Sequence, residues 1–196
     1  PRNVMAGYTV MTSEIKRQLE DQPIPTHVFI QGGVGGLAGA VCTHLWQHYG
    51  ANKPRFVVVE PDRADCIYQS GLKGETVDVH ITEETVMAGL SCGEVSNLGW
   101  DILKTGTADF MTITDDLVAP TMKLLAKGVS GDPAFAAGES AVAGLAGALA
   151  ALANPFLKSQ LNLDENSRIL VIGTEGATDP EIYEQIVGIP ATSLAA

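Results

Sequence analysis

The fold of this chain is decided by the stretch Thr26-His27-Val28-Phe29-Ile30-Gln31-Gly32-Gly33-Val34-Gly35-Gly36-Leu37-Ala38-Gly39. An apolar, β-prone run ends in a polar residue, four glycines fall within five positions, and an apolar helical pattern follows to about Tyr49. Glycines let the backbone approach a ligand more closely than a Cβ permits. The helix behind them begins with unpaired N–H groups and the positive end of its dipole. The stretch therefore predicts an anion cradle, with a phosphate as the expected occupant.

The rest of the chain alternates strand-like and helix-like segments. The β-branched run at 56–59 is typical of a parallel strand covered on both faces, and with 26–49 it predicts a right-handed βαβ unit. We predict an α/β fold: one domain over residues 1–196, with a three-layer, open, mostly parallel sheet and helices on both faces. The predicted strands are 27–31, 55–60, 110–114 and 168–174. The predicted helices are 14–20, 37–49, 64–70, 83–90, one starting at 99–104, 117–127, 140–152 and 180–187.

Composition narrows the classes of function. The chain has 196 residues, a net charge of -11 and a pI near 4.6, which argues against nucleic acid and anionic membranes as partners. The small-residue run 141–153 is too short to span a bilayer, and no signal peptide opens the chain, so we expect a cytoplasmic protein. The three cysteines make neither a disulfide framework nor a metal set.

Three interpretations of the glycine turn compete. Residues 33–38 fit the Ala-ended dinucleotide fingerprint, and Glu60 ends the next strand, where an acidic residue would hold a ribose hydroxyl. The second interpretation is a loop that wraps the monophosphate of a smaller cofactor, such as pyridoxal phosphate, with several consecutive N–H groups. In the third, the glycines only allow close packing of helix on strand.

Several blocks along the chain resemble the diaminopropionate ammonia-lyase family, in order and over nearly the whole length. That family belongs to the tryptophan-synthase-like (fold type II) enzymes that use pyridoxal 5'-phosphate. The blocks are NVMAGYTVM at 3–11, PTHVFIQ at 25–31, VEPDRADCIY at 59–68, MAGLSCGE at 87–94, LGWDIL at 98–103, GES at 138–140 and GTEGATD at 173–179.

The resemblance implies a reaction and a set of cofactor contacts. The reaction is α,β-elimination of 2,3-diaminopropionate, a small amino acid, to pyruvate and ammonia. Thr174 is expected to face the pyridine nitrogen and Glu139 to approach the ring edge, although a strand-end residue and a helix-dipole carboxylate are the plainer alternatives. Glu60 becomes part of a structural turn. The residues expected to wrap the cofactor phosphate are Gly32, Gly33, Val34, Gly35 and Gly36.

The Schiff-base lysine of the family lies in a Ser-Phe-Lys-type segment, and no segment of this chain matches it. We therefore expect the chain to be the C-terminal part of a larger catalytic chain, an incomplete large domain that binds the cofactor weakly and does not turn over. No catalytic residue and no metal ligand is assigned. The resemblance also implies a homodimer.

Three alternatives stay open: another pyridoxal-phosphate-dependent amino-acid dehydratase, an NAD-binding Rossmann dehydrogenase domain, and a domain without a cofactor. For Cys66 and Cys92, a disulfide near the site entrance competes with two reduced thiols, and a reducing cytoplasm favours the thiols.

Overall fold

A computed structural model describes residues 2–129 and 131–194 of the chain. Four strands form one parallel sheet: β1 (His27–Gln31), β2 (Arg55–Pro61), β3 (Asp109–Ile113) and β4 (Ile169–Val171). Their order across the sheet is β3-β2-β1-β4. In register, Phe29 of β1 lies between Val57 of β2 and Val171 of β4.

The helices cover both faces of the sheet. They are α1 (Arg2–Gln18), α2 (Gly36–Tyr49), α3 (Cys66–Lys73), α4 (Asn97–Gly106), α5 (Val118–Lys127), α6 (Ala143–Ala153), α7 (Pro155–Gln160) and α8 (Pro180–Val187). Alternate strand residues point to opposite faces, so Phe29 and Val57 pack with α5, α6 and α8, whereas Val28 and Ile30 pack with α2 and α4. This arrangement confirms the predicted three-layer α/β fold.

The small residues of α6 let this helix lie directly on the sheet. A methyl group added at Gly144 would lie 2.6 Å from the carbonyl oxygen of Phe29, and one at Gly147 would lie 2.9 Å from a methyl carbon of Val59. Only glycine permits such contacts, because any Cβ would push the helix off the central strands. This close packing buries β1 completely.

Several sequence-based boundaries are wrong. The predicted helix 83–90 is irregular apart from a single 3-10 turn, Ala88–Leu90, because the amides of Val86 and Gly89 donate to the distant side chains of Asp115 and Ser140. The N-terminal helix occupies Arg2–Gln18 rather than 14–20, and α7 was not predicted. The last strand is shorter than 168–174, and α6 begins at Ala143 rather than at 140.

No helix within residues 2–129 and 131–194 combines the length and the apolar character that crossing a bilayer requires.

The contact of α6 with β1 gives a direct stability test. Gly144→Ala places a methyl group against a main-chain oxygen that cannot move aside, so we expect a loss of about 1–3 kcal/mol in the free energy of unfolding. Denaturant unfolding measures it.

The matched control is Gly7→Ala in the exposed interior of α1, where no atom lies within 4 Å of the added methyl group. This substitution should stabilise the chain by about 0.5–1 kcal/mol. Equal effects of the two substitutions would contradict the packing described for α6.

Candidate functional site

The carboxyl ends of the four strands meet at one edge of the sheet. From β1 the chain builds outward to β2 and β3, and it then returns to place β4 on the other side of β1. The connections therefore change direction between β1 and β4, and in open α/β sheets ligands bind in the crevice at such a switch point. The glycine turn follows β1 and Thr174 follows β4, so both lie at this crevice.

The glycine turn uses two of its amides internally. The Gly32 amide donates to the carbonyl of Val59 at 3.0 Å, and the Gly35 amide donates to the carbonyl of Gly32 at 3.1 Å. Gly33 and Gly35 have φ angles of +59° and +87°, which L side chains rarely adopt. These bonds and angles fix the shape of the turn.

Five main-chain amides between residues 33 and 38 have no acceptor among the described residues once those bonds are made. Within the described part of the chain, no acceptor contacts the main-chain N–H groups of Gly33, Val34, Gly36, Leu37 and Ala38. They include the first amides of α2, where the helix dipole adds a positive potential. Of the five residues that the sequence predicts as phosphate ligands, Gly33, Val34 and Gly36 thus offer amides, whereas Gly32 and Gly35 shape the turn.

The first residue of α2 leaves space in front of the turn. A methyl group added at Gly36 would have no atom within 4 Å, whereas one at Gly32 would lie 2.7 Å from Cγ of Glu60. The turn is therefore packed tightly against the protein at Gly32 and open at Gly36. An anion can approach on the open side.

Glu60 lies beneath the turn and is 1% exposed. Its carboxylate accepts hydrogen bonds from the amides of Tyr68 at 2.7 Å and Ile67 at 3.3 Å, at the beginning of α3. Burial raises the pKa of Glu60 to about 8, although the two amide hydrogen bonds act in the opposite direction. A side chain enclosed in this way cannot reach a ribose, so the acidic residue that the dinucleotide interpretation requires is not accessible. The geometry agrees instead with the structural turn that the resemblance implies.

Thr174 is held at the crevice by the residue before the glycine turn. The side-chain amide of Gln31 donates to Oγ1 of Thr174 at 2.7 Å and to the carbonyl of Ile172 at 3.0 Å. Gln31 is buried, whereas Thr174 is exposed, three residues beyond the end of β4. The hydroxyl of Thr174 is thus fixed beside the start of the glycine turn.

Glu139 lies in the turn that precedes α6, and its side chain is half-buried. Its neighbours are tied to the segment after β4, because Glu175 accepts from the amide of Gly138 at 3.2 Å and from that of Ser140 at 2.8 Å. The structure therefore brings residues 138–140 and 174–176 together. No hydrogen bond of the Glu139 carboxylate is present among the described residues.

A closed series of contacts surrounds the crevice. A methyl group on Gly33 would lie 3.8 Å from the carbonyl oxygen of Gly89, and the Gly89 amide donates to the Ser140 hydroxyl at 2.9 Å. The amide of Ser140 donates a hydrogen bond to the carboxylate of Glu175, the neighbour of Thr174, and the side-chain amide of Gln31 donates to the hydroxyl of Thr174. The segments that carry the predicted site residues thus border one site.

A cavity of about 990 Å³ lies on the α1 side of the turn. Val34 and Gly36 line it together with the beginnings of α1 and α4. The amide of Ser96 donates to the carbonyl of Val34 at 2.9 Å, which anchors the turn to the start of α4. The volume is in the range of pockets that hold small molecules.

The residues present fit the phosphate and ring of pyridoxal phosphate. Amides at a helix N-terminus that have no acceptor among the described residues suit a phosphate, and a neutral hydroxyl suits a ring nitrogen. In addition, Oε1 of Gln31 is buried without a hydrogen-bond partner in the described segments, at the residue that immediately precedes the glycine turn.

The sequence did not identify several groups that build this site. The amides of Leu37 and Ala38, the side chains of Gln31 and Ser140, and the carboxylate of Glu175 all contribute. Gln31 had a signal, because a polar residue ends an otherwise apolar strand immediately before the glycines, and the amides of Leu37 and Ala38 belong to the helix start that the sequence predicts. Ser140 and Glu175 act through contacts between distant segments.

The cysteines are all free thiols in the structure. Cys66 lies below the turn, where Sγ is 3.7 Å from the carbonyl oxygen of Gly33, and burial raises the pKa of its thiol to about 12. Such a thiol stays protonated and is a poor nucleophile. The reduced state of Cys66 and Cys92 remains a prediction.

Comparisons with known proteins point to one family. The family model described as "Pyridoxal-phosphate dependent enzyme" matches residues 1–175. Diaminopropionate ammonia-lyase of Escherichia coli strain K12 is 40% identical over 192 residues, which are 95% of this chain and 48% of that protein. A probable D-serine dehydratase of Geobacillus kaustophilus is 30% identical over 156 residues, 74% of this chain and 34% of that protein. The chain therefore spans about half the length of its first curated relatives, or less.

A solved crystal structure points to the same family. The crystal structure of the Escherichia coli diaminopropionate ammonia lyase, in complex with an aminoacrylate-PLP azomethine reaction intermediate, superposes with a TM-score of 0.86 and 39% identity. The match covers 93% of this chain and 47% of that one. The fold of the described residues is therefore that of part of this enzyme.

The buried carboxyl of Glu60 predicts a specific pH dependence of stability. Its folded-state pKa of about 8 lies above the ordinary value of 4.5, so the folded chain keeps a proton that the unfolded chain releases between those values. Stability should therefore fall as the pH rises through this window, by at most about 1.4 kcal/mol per pH unit. Glu60→Gln should lessen that fall, measured by denaturant unfolding at pH 5 and pH 8.

Glu75→Gln is the control, because Glu75 is exposed and makes no side-chain hydrogen bond within the described residues. Its pH dependence should follow that of the unmodified chain. Parallel curves for the unmodified chain and Glu60→Gln would refute the buried-acid interpretation.

Proposed function

The chain belongs to the pyridoxal-phosphate-dependent enzyme family, and from this premise we propose that it forms the cofactor-phosphate part of an ammonia-lyase. The proposed reaction is α,β-elimination of 2,3-diaminopropionate to pyruvate and ammonia. The observation that carries the proposal is the set of amides in the glycine turn, at the start of α2, that have no partner among the described residues. The similarity to diaminopropionate ammonia-lyase over nearly the whole chain supports the choice of substrate.

The glycine turn would bind the phosphate through the amides of Gly33, Val34 and Gly36. Hydrogen bonds from amides to a dianion are about twice as strong as those between neutral groups, and the dipole of α2 adds to them. Gly32 and Gly35 contribute by conformation, since their own amides are bonded within the protein. Burial raises the pKa of Glu60 to about 8, which reduces the negative charge beneath the phosphate at neutral pH.

Thr174 and Glu139 would border the ring of the cofactor. When bound, the cofactor supplies an electron sink for the carbanion formed at the substrate Cα. Thr174 offers the ring nitrogen a neutral hydroxyl as its partner. A ring with that partner withdraws less electron density from the substrate than a ring whose nitrogen is protonated beside a carboxylate. Elimination tolerates this, because the leaving group at Cβ removes the negative charge as it departs. Glu139 is proposed to lie at the ring edge.

A complete active site needs a lysine that this chain does not supply in the expected context. Its seven lysines lie outside any Ser-Phe-Lys-type segment. Two of them make contacts away from the crevice, because Lys104 pairs with Asp101 and Lys53 donates to the carbonyl of Gly106. We therefore propose that this chain is a single α/β domain, the C-terminal part of a larger catalytic chain, and that alone it binds the cofactor weakly without turnover.

The proposal extends to assembly and compartment. The resemblance supports a homodimer, and the acidic composition is compatible with the cytoplasm as the compartment. The exposed side chains of Val4 and Val10 on α1 and of Phe156 on α7 offer apolar surface for contact with other parts of the protein.

A related amino-acid dehydratase is the second candidate. The likeness to a probable D-serine dehydratase favours it, as does a crystal structure of the Escherichia coli lyase in complex with D-serine. Both candidates share the phosphate cradle and differ in the group that leaves from Cβ, an amine or a hydroxyl.

The phosphate cradle is tested by Gly36→Ala. The added methyl group meets no protein atom, so the chain should fold as before, but it occupies the space through which a phosphate approaches. We expect the affinity for pyridoxal 5'-phosphate to fall about tenfold, which corresponds to ~1.4 kcal/mol. Fluorescence titration of Trp46 and Trp100 measures the affinity.

The control variant is Gly7→Ala, which also adds a methyl group in open space but lies in α1, outside the turn. Its affinity should match that of the unmodified chain. Binding of pyridoxal without the phosphate as tightly as pyridoxal phosphate would contradict the cradle. Release of pyruvate from 2,3-diaminopropionate by this chain alone would contradict the missing-lysine proposal.

A further inference from the structure

Glu60 is a buried acid that lies directly against the glycine turn. Its side chain is 1% exposed, and a methyl group added at Gly32 would lie 3.1 Å from Oε1 of Glu60. Sγ of Cys66 lies 3.8 Å from the same oxygen and 3.7 Å from the carbonyl oxygen of Gly33. The carboxyl of Glu60 is therefore separated from the upper part of the turn only by the main chain of Gly32 and by one sulfur atom.

The surroundings of Glu60 supply no positive side chain in the part of the chain that the structure describes. The nearest cation along the sequence, Arg63, pairs instead with Glu83 and Asp115. Thr112 of β3, which stands beside Glu60 in register, is neutral. The partners of the carboxyl are two amides and one thiol at the start of α3. An ionised Glu60 thus has hydrogen-bond donors but no counter-charge.

Three other acidic groups are close enough to interact with Glu60. Asp65 and Cys66 lie at the start of α3, and Cys92 belongs to the irregular segment before α4. Burial raises the pKa of Glu60 to about 8, two amide hydrogen bonds oppose that effect, and the charge of Asp65 adds to it. Burial also raises the pKa of Cys66 to about 12 and raises that of Cys92. Both thiols therefore keep their protons near pH 8, where the carboxyl of Glu60 exchanges its own.

An anion in the glycine turn and an ionised Glu60 repel each other. Water screens such a repulsion only weakly when one of the two charges is buried. The bound anion therefore favours the protonated carboxyl, and by linkage the protonated carboxyl favours the bound anion by the same factor. The affinity for an anion is thus highest below the folded-state pKa of Glu60, and it falls as the pH rises through about 8.

We propose that Glu60 couples the binding of an oxyanion in the glycine turn to the uptake of a proton, so that the site holds a phosphate group most tightly when this carboxyl is protonated. The inference rests on the proposed function, because it takes the amides of Gly33, Val34 and Gly36 as the anion ligands. Glu60 acts through its charge, since it is enclosed beneath the turn, whereas the open side is at Gly36. Alkaline conditions therefore favour release of the phosphate group.

The test uses sulfate as the probe. This tetrahedral dianion keeps its charge from about pH 6 to about pH 9.5, whereas a phosphate monoester titrates near pH ~6. The methyl signals of Val34 in the full chain report binding at the turn, with the ionic strength held constant by sodium chloride. We expect the affinity for sulfate to fall about five- to tenfold between these two pH values, which corresponds to a change of about one unit in the pKa of Glu60.

Two variants assign the effect to this carboxyl. Glu60→Gln is the neutral counterpart of the protonated acid, so its affinity for sulfate should be the same at both pH values. Glu75→Gln removes an exposed carboxyl beyond the other end of α3 and should keep the fall. The unmodified chain gives an independent measurement, because the carboxyl ¹³C resonance of Glu60 reports its pKa directly. Saturation with sulfate should raise that pKa by about one unit.

The outcomes separate the coupling from the anion cradle itself. Equal affinities for sulfate at both pH values would overturn the coupling and leave the cradle intact, as would a ¹³C midpoint of Glu60 that sulfate does not move. A fall in affinity that persists in Glu60→Gln would assign the proton to another group and would also overturn the proposal. Val34 methyl signals that do not respond to sulfate at about pH 6 would overturn the cradle and the coupling together.

Discussion

The close approach of two main-chain segments, at Gly35 and Gly99, holds the glycine turn in place. A methyl group on Gly99 would lie 2.9 Å from the carbonyl oxygen of Gly35, and one on Gly35 would lie 3.2 Å from Cδ1 of Leu103. Two amides of the turn, those of Gly32 and Gly35, donate to main-chain carbonyls of the protein, and the carbonyl of Val34 accepts from the amide of Ser96 just before α4. The amides of Gly33, Val34 and Gly36 meet no acceptor within the described residues, and the proposed anion binding follows from that division.

The sheet topology adds the second half of the site. With β4 beside β1, the segment after β4 reaches the same crevice as the glycine turn, and the Gln31–Thr174 hydrogen bond joins them. The irregular segment before α4 completes the enclosure, because Asp115 at the end of β3 accepts from the amide of Val86 at 3.0 Å and pairs with Arg63 at 3.1 Å. The proposed phosphate cradle and the hydroxyl of Thr174 therefore lie on a common framework.

Local sequence patterns predicted the central elements well. The strand 27–31 and the helix 180–187 have the predicted limits, since an apolar run ending in glycines and a Pro after an Asp cap are local signals. The predicted helix 83–90 failed because Asp115 and Ser140, distant in sequence, bind the amides of Val86 and Gly89. The N-terminal helix was predicted too short because Thr12 and Ser13, favourable as caps, instead bond to the carbonyl of Thr9 one turn earlier. The resemblance named the candidate site residues, but only the structure distinguishes the residues of the turn that offer amides from those whose amides are bonded within the protein.

The most direct measurement of the central claim is an assigned ¹H–¹⁵N spectrum of the full chain, titrated with pyridoxal 5'-phosphate. If the amides without an acceptor in the described residues bind the phosphate, the amide protons of Gly33, Val34 and Gly36 move downfield together. Those of Gly32 and Gly35, already bonded to Val59 and Gly32, stay nearly fixed. Equal shifts across all five residues, or none at Gly33, Val34 and Gly36, would contradict the account.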